Sequence, residues 1–127
     1  MWQAERGENM KYYLFKAGEK EYKLRLTAQN IIDTEARLGY SIFEVLMKTD
    51  EGKLPSIEEM LIILRGSLQK YHDDMKMKDV YDIYDEYVEN GGDYTGLIET
   101  VTEIMKISGF FREEKGKERS KAKVKAG

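Results

Sequence analysis

The stretch EYKLRLTAQNIIDTEARLGYSIFEVL, residues 21–46, changes its hydrophobic period from two to about 3.6 within a few positions. Tyr22, Leu24 and Leu26 alternate with Lys23 and Arg25, the pattern of a strand with one buried face. Thr27 then offers a hydroxyl to cap a helix. Ala28, Ile31, Ile32 and Leu38 fall mostly on one face of it, and Gly39 supplies a permissive stop. Two residues on, Ser41 to Glu44 (SIFE) has the capping-box arrangement, so a second helix begins there.

Working back from this stretch, residues 11–16 (KYYLFK) form another strand-like run. Ala17-Gly18-Glu19-Lys20 joins it to residues 21–26, and a short glycine-bearing connection of this kind predicts an antiparallel hairpin. Two strands alone are marginal in water, so one face must lie on helices. That face carries Tyr22, Leu24 and Leu26, with either Tyr12 and Leu14 or Tyr13 and Phe15 opposite. The other edge is a possible pairing surface for a second copy.

Working forward, a polar loop closes at Pro55, the only proline. Ser56-Ile57-Glu58-Glu59 is a second capping box, followed by Ile57, Met60, Leu61, Leu64, Leu68 and Tyr71 at helical spacing. Ile62 and Ile63 widen the apolar arc, which predicts a central helix contacted on more than one side. Residues 72–77 break the pattern as a loop. In residues 78–90, Val80, Ile83, Tyr84 and Tyr87 share a face while Asp79, Asp82, Glu86 and Glu89 point away. Gly91-Gly92 ends that helix. Asp93 or Thr95 caps the last one, whose buried stripe is Leu97, Ile98, Val101, Ile104 and Met105. The predicted fold is mainly α with a small N-terminal antiparallel β-hairpin, an α+β arrangement of about five helices in one compact domain. Residues 1–9 read as a flexible leader, 10–111 as the domain and 112–127 as a charged, disordered tail.

At 127 residues the chain can bury roughly two thirds of its unfolded surface. With no cysteine and a single histidine, thiolate and multi-histidine metal sites are excluded. No apolar run approaches the ~20 residues that span a bilayer, and the first ten residues lack the apolar core of a signal peptide. A soluble protein of the cytoplasm is expected. The net charge of −3 hides an asymmetry, because residues 112–127 carry seven Lys/Arg against three Asp/Glu, a local +4 that leaves −7 for residues 1–111. An acidic body argues against duplex binding, where Lys and Arg must neutralise phosphates.

Candidate chemistry is sparse. The acidic face Asp79, Asp82, Asp85, Glu86 and Glu89 could converge on a cation, but solvated helix faces usually look like this and no companion ligands are evident. His72, Asp73 and Asp74 match no calcium or zinc spacing. Gly91-Gly92-Asp93-Tyr94-Thr95-Gly96 precedes a helix but lacks the lysine and glycine spacing of a phosphate loop. Ser41 and Ser56 are explained by capping. No catalysis, cofactor or metal is expected. Nine tyrosines and seven methionines instead suit a surface that accepts varied apolar segments. Tyr71, Met75, Met77, Phe110 and Phe111 are the candidates for such a partner-binding groove, and Met75→Glu with Met77→Glu is expected to weaken binding with little loss of fold.

The strand-to-helix passage of residues 21–46, LPSIEEMLIILRGSL (54–68), KDVYDIYDEYVENGG (78–92) and LIETVTEIMKISGFF (97–111) together resemble the tail assembly chaperones of long-tailed bacteriophages and prophages of Gram-positive hosts. The resemblance covers nearly all of residues 10–111 and rests on hydrophobic spacing with polar punctuation. It implies a small non-enzymatic protein of the bacterial cytoplasm, absent from the mature virion. Such a protein binds the tape measure protein, keeps it soluble and helps recruit tail tube protein. A longer frameshifted form is common in such families, and the tail from Arg112 is where a junction would fall. The alternatives are a structural head-to-tail connector or tail completion protein, which would use the hairpin edge to build a ring, and a small helical DNA-binding regulator. No basic recognition helix supports the last.

Overall fold

The computed structural model describes residues 11–111. Its hairpin comprises β1 (Tyr13–Ala17) and β2 (Lys20–Leu24), paired with Tyr13 opposite Leu24, Phe15 opposite Tyr22 and Ala17 opposite Lys20. This register leaves a two-residue turn, and Gly18 supplies the positive φ of 71° that its first position requires. Of the two pairings open to the sequence, Tyr13 and Phe15 face the core with Tyr22 and Leu24, while Tyr12 and Leu14 are exposed. Leu26 is buried but lies beyond the strand.

The outer edge of β2 is met at its C-terminal end. Lys23 donates its N–H to His72 Nε2 at 3.1 Å, and Arg25 donates to the Ser67 carbonyl at 2.8 Å. Leu26 N–H donates to Ser108 Oγ at 2.9 Å. Among the described residues, no backbone partner meets the outer edge of β1.

Five helices follow: α1 (Ala28–Leu38), α2 (Ile42–Asp50), α3 (Ile57–Leu68), α4 (Met77–Glu89) and α5 (Tyr94–Ile107). Thr27 caps α1 reciprocally with Asn30, and Gly39 stops it with φ 91°. The buried face of α1 differs from the expected one. Ala28 is exposed and Ile32 is 61% exposed, while Thr34 is buried between half-buried Ile31 and Leu38. The reason lies opposite, at Gly66 of α3, where a Cβ would collide with Thr34 Oγ1. The two helices approach closely because one presents no side chain there.

Ser41 Oγ accepts from Glu44 N–H, but the return half of the expected capping box is absent. The next donor along, the Ile42 N–H, is satisfied by Glu35 Oε2 of α1 at 2.8 Å, a bond that fixes the α1–α2 corner. Helix α3 is central, as expected, with α1, α4, α5 and β2 packed around it. Met60, Leu61, Ile63, Leu64 and Leu68 are buried on it, whereas Ile57 at its first turn is exposed. Tyr71 lies past the end of α3 and is exposed.

Helix α4 begins at Met77, with the Lys76 N–H bound by Asp79 Oδ2 at 2.9 Å. Val80 and Ile83 are buried and Tyr84 and Tyr87 half-buried, as the spacing predicts. Asp93, rather than Thr95, caps α5 by accepting from Gly96 N–H at 2.8 Å. Leu97, Val101, Ile104 and Met105 form its buried stripe. The architecture is the expected one, a two-stranded antiparallel hairpin on a five-helix domain. The leader and the charged tail lie outside the described residues.

Candidate partner-binding grooves

Helix α4 carries two apolar stripes rather than one. Val80, Ile83 and Tyr87 face the core, while Met77, Tyr81, Tyr84 and Val88 recur at i, i+4, i+7 and i+11 on an adjoining face. Tyr81 is 53% exposed and Val88 44%. The second stripe forms one wall of a groove of about 400 Å³ whose opposite wall is the first turn of α3. Ile57, Leu61, Met77, Tyr81 and Tyr84 line it, and Glu58 and Asp85 stand at its rim. It offers aromatic and thioether contact with negative charge beside it.

A second groove, of about 260 Å³, lies on the other side of α4 against β2. Tyr22, Met75 and Ile83 form its floor, and Asp79, Asp82, Glu86 and Lys20 surround them. Burial, with Glu86 nearby, pushes the Tyr22 phenol up. Among the described residues, no Lys or Arg forms an ion pair with Asp79, Asp82 or Glu86.

The five sequence-derived candidates are not brought together. Met75 lines the acidic groove and Met77 the apolar one, and both also pack partly against the core. Tyr71 sits on the outer side of the hairpin, edge-on to Tyr12 at 5.7 Å, with Lys23 Nζ over both rings at 5.0 and 5.6 Å. Phe110 and Phe111 pack partly against the core past α5 and line neither groove. Because Met75 and Met77 are half-buried, glutamates there disturb the core as well as the grooves. Tyr81 is the better probe. Sequence reading missed it because one apolar face had already been assigned to α4, yet its spacing from Met77 was the available signal.

The acidic and glycine-rich segments show their structural roles. His72 accepts from β2 and lies edge-on to Tyr22 at 5.4 Å. Burial, helped by Lys23, pushes the His72 imidazole below its ordinary pKa, so Nδ1 carries the proton. The Gly96 N–H is used by the Asp93 cap, and the Tyr87 ring occupies the space beside Gly92, so these donors do not form an open phosphate cradle. No group of three or more His, Asp or Glu side chains suited to a metal occurs among the described residues. Among the described residues, no helix is long and apolar enough to cross a membrane.

Among the described residues the most buried charge is Glu59, at 7% exposure. Its Oε1 accepts from the Ser56 N–H at 2.8 Å, completing the α3 capping box, while Oε2 accepts from Lys48 Nζ at 2.7 Å and from the Tyr40 hydroxyl. Burial pushes the Glu59 carboxyl up, but the donors Lys48, Tyr40 and Ser56 outweigh it and hold the group below its ordinary value. The hydrogen bond to Glu59, with burial and neighbouring carboxylates, pushes Tyr40 up to about 12. The cluster ties α2 to α3.

No curated protein and no solved structure matches the chain. One family model matches residues 11–126, nearly the whole sequence, and the chain belongs to that family, DUF6096, described as a family of unknown function.

Proposed function

We propose that this protein is a tail assembly chaperone of a long-tailed phage or prophage, a non-enzymatic binder of the tape measure protein. The reading begins from the resemblance in residues 21–111. It is supported by one observation above all, the apolar groove between α3 and α4. Ile57, Leu61, Met77 and Tyr81 offer an adaptable apolar wall, and Glu58 and Asp85 favour lysine or arginine beside the bound apolar residues. An amphipathic helix with apolar residues at i, i+3, i+4 and i+7 and cations at its flanks has matching chemistry. A tape measure protein is a long helical chain that aggregates when such faces are uncovered, so many weakly binding copies suffice. In this role the protein works in the bacterial cytoplasm, brings tail tube protein to the complex and leaves before the virion matures.

The test is co-expression with the tape measure protein encoded nearby, followed by pull-down and a solubility comparison. A soluble complex that forms only when both chains are present is the expected result. Tyr81→Ala should weaken that complex by about tenfold or more, as loss of an aromatic anchor does, while stability stays within about 0.5 kcal/mol. An insoluble tape measure with nothing co-purifying defeats the reading. Finding the protein in purified particles points to the connector instead.

A further inference from the structure

Helix α4 is itself a helix of the kind that the groove beside it accepts. Met77, Tyr81, Tyr84 and Val88 fall within about 60° of arc, and Tyr81 and Val88 are open to solvent although large and apolar. The charges beside this stripe are sorted along the axis. At about 100° per residue Lys78, Asp85 and Glu89 share the flank that points away from the core, with the cation in the first turn and both carboxylates in the second half. All three are exposed, and among the described residues none has an ion-pair partner.

This arrangement is complementary to itself. A two-fold axis crossing the stripe between Asp82 and Ile83 sets α4 antiparallel to α4 of a second copy, with Met77 opposite Val88 and Tyr81 opposite Tyr84 of that copy. The same flank of both helices then comes together. Lys78 of each copy is level with residue 87 of the other, so it stands between Asp85 and Glu89, about 3 Å along the axis from each. A parallel pair would instead set Lys78 against Lys78 and carboxylate against carboxylate. Ile57 on the opposite wall of the groove is exposed as well and adds to the apolar contact. We propose that two copies of this chain pair through α4, antiparallel about a two-fold axis, with Lys78 of each held between Asp85 and Glu89 of the other. The stripe supplies the affinity and the exposed ion pairs, each weak alone, set direction and register. Two helices about 20 Å long bury less than the ~1,600 Å² of a standard interface, so the association depends on concentration. The pairing stands whether or not the groove takes a tape measure helix; where it does, the two compete for Tyr81.

The test uses the full chain and no tape measure protein. Sedimentation velocity from about 5 to about 500 µM, a range that brackets weak specific association, should show a monomer–dimer equilibrium. Lys78→Glu alone, and Asp85→Lys with Glu89→Lys, should each raise the dissociation constant about tenfold or more at about 0.1 M salt, because each sets like charges together in both halves of the interface. An equal mixture of the two variants should recover the affinity of the parent, since every opposed contact becomes attractive in the mixed pair. That recovery also shows that both variants are folded. Tyr81→Asp should abolish the dimer, while Leu14→Lys on the exposed face of the hairpin should leave it intact. A chain that is monomeric throughout the range overturns the proposal, as does a dimer indifferent to the charge variants or a mixture that associates no better than either variant alone. A dimer lost in Leu14→Lys and kept in Tyr81→Asp overturns it too, by assigning the contact to β1.

Discussion

Alanine at Gly66 tests the close approach of α1 to α3. Its Cβ would stand 3.3 Å from Leu26 Cδ2 and in collision with Thr34 Oγ1, in a core where Leu26, Thr34 and Gly66 are all buried. Overpacking costs about 1–3 kcal/mol, and a collision with a buried β-branched side chain belongs in the upper part of that range, about 2–3 kcal/mol. Alanine also gains about 1 kcal/mol of helix propensity over glycine, so Gly66→Ala should destabilise by about 1–2 kcal/mol. Thr34→Ala alone should change little. It removes a methyl, at about 1 kcal/mol, and also a buried hydroxyl that has no hydrogen-bond partner, whose loss is worth a similar amount in the other direction. Combining the two relieves the collision while keeping the propensity gain. The double variant should therefore be at least as stable as the parent, with a coupling energy of about 2 kcal/mol. Urea denaturation of the four proteins measures this as a shift of about 0.5–1 M in midpoint for Gly66→Ala, at constant slope. An equal cost of Gly66→Ala in the parent and in the Thr34→Ala background would falsify the close-approach account of how α1 seats on α3.

Glu59→Gln keeps the acceptor for Ser56 but removes the charge that Lys48 and Tyr40 face, and should cost about 1–3 kcal/mol near neutral pH because Lys48 retains some solvent. The folded-state pKa of Glu59 lies below its ordinary 4.5, so the unfolded chain takes up the proton first; this stability is present above 4.5 and lost as pH falls through the folded value, a slope that urea melts should find reduced in the variant. His72 behaves in the same sense for a different reason. Its pKa lies below 6.5, the unfolded state again binds more protons in that window, and stability should decline as pH falls from 6.5; an NMR titration that places the imidazole at or above 6.5 refutes the buried acceptor role. Tyr40 has the opposite sign, raised from 10.0 to about 12, so its contribution is complete below 10 and disappears as pH rises through 12. The tyrosinate absorbance titration of Tyr40→Phe should lack one late-ionising group relative to the parent.

Much of the fold was legible because its signals are local. The caps at Thr27, Ser56 and Asp93, the stops at Gly39 and Gly91, and the period-two runs of the hairpin each depend on residues a few positions apart. What was not legible depends on a distant partner. Ile31 and Ile32 are equivalent to a hydrophobic scale, and the choice of the Ile31–Thr34–Leu38 face over Ala28 and Ile32 is made by Gly66, more than thirty residues away in sequence. The bond from the Ile42 N–H to Glu35 was illegible for the same reason, since its acceptor lies on the preceding helix. The site followed the same division. Methionine and tyrosine content pointed to adaptable apolar contact, but the named residues scattered over four places, because composition does not say which surface a side chain meets. The i, i+4, i+7, i+11 stripe through Tyr81 was readable once α4 was allowed two apolar faces.

The His72 and Ser67 contacts on β2 have a consequence for stoichiometry. A hairpin with both edges open can add strands without limit, as fibrils do. Here one edge is occupied from within the same molecule, by a histidine that accepts a hydrogen bond only while neutral. A copy that pairs through β1 has then used its one wholly unpaired edge among the described residues, and two such copies make a four-stranded sheet whose outer strands are both capped at Lys23 and Arg25. Pairing through the hairpin thus favours two copies over an open series.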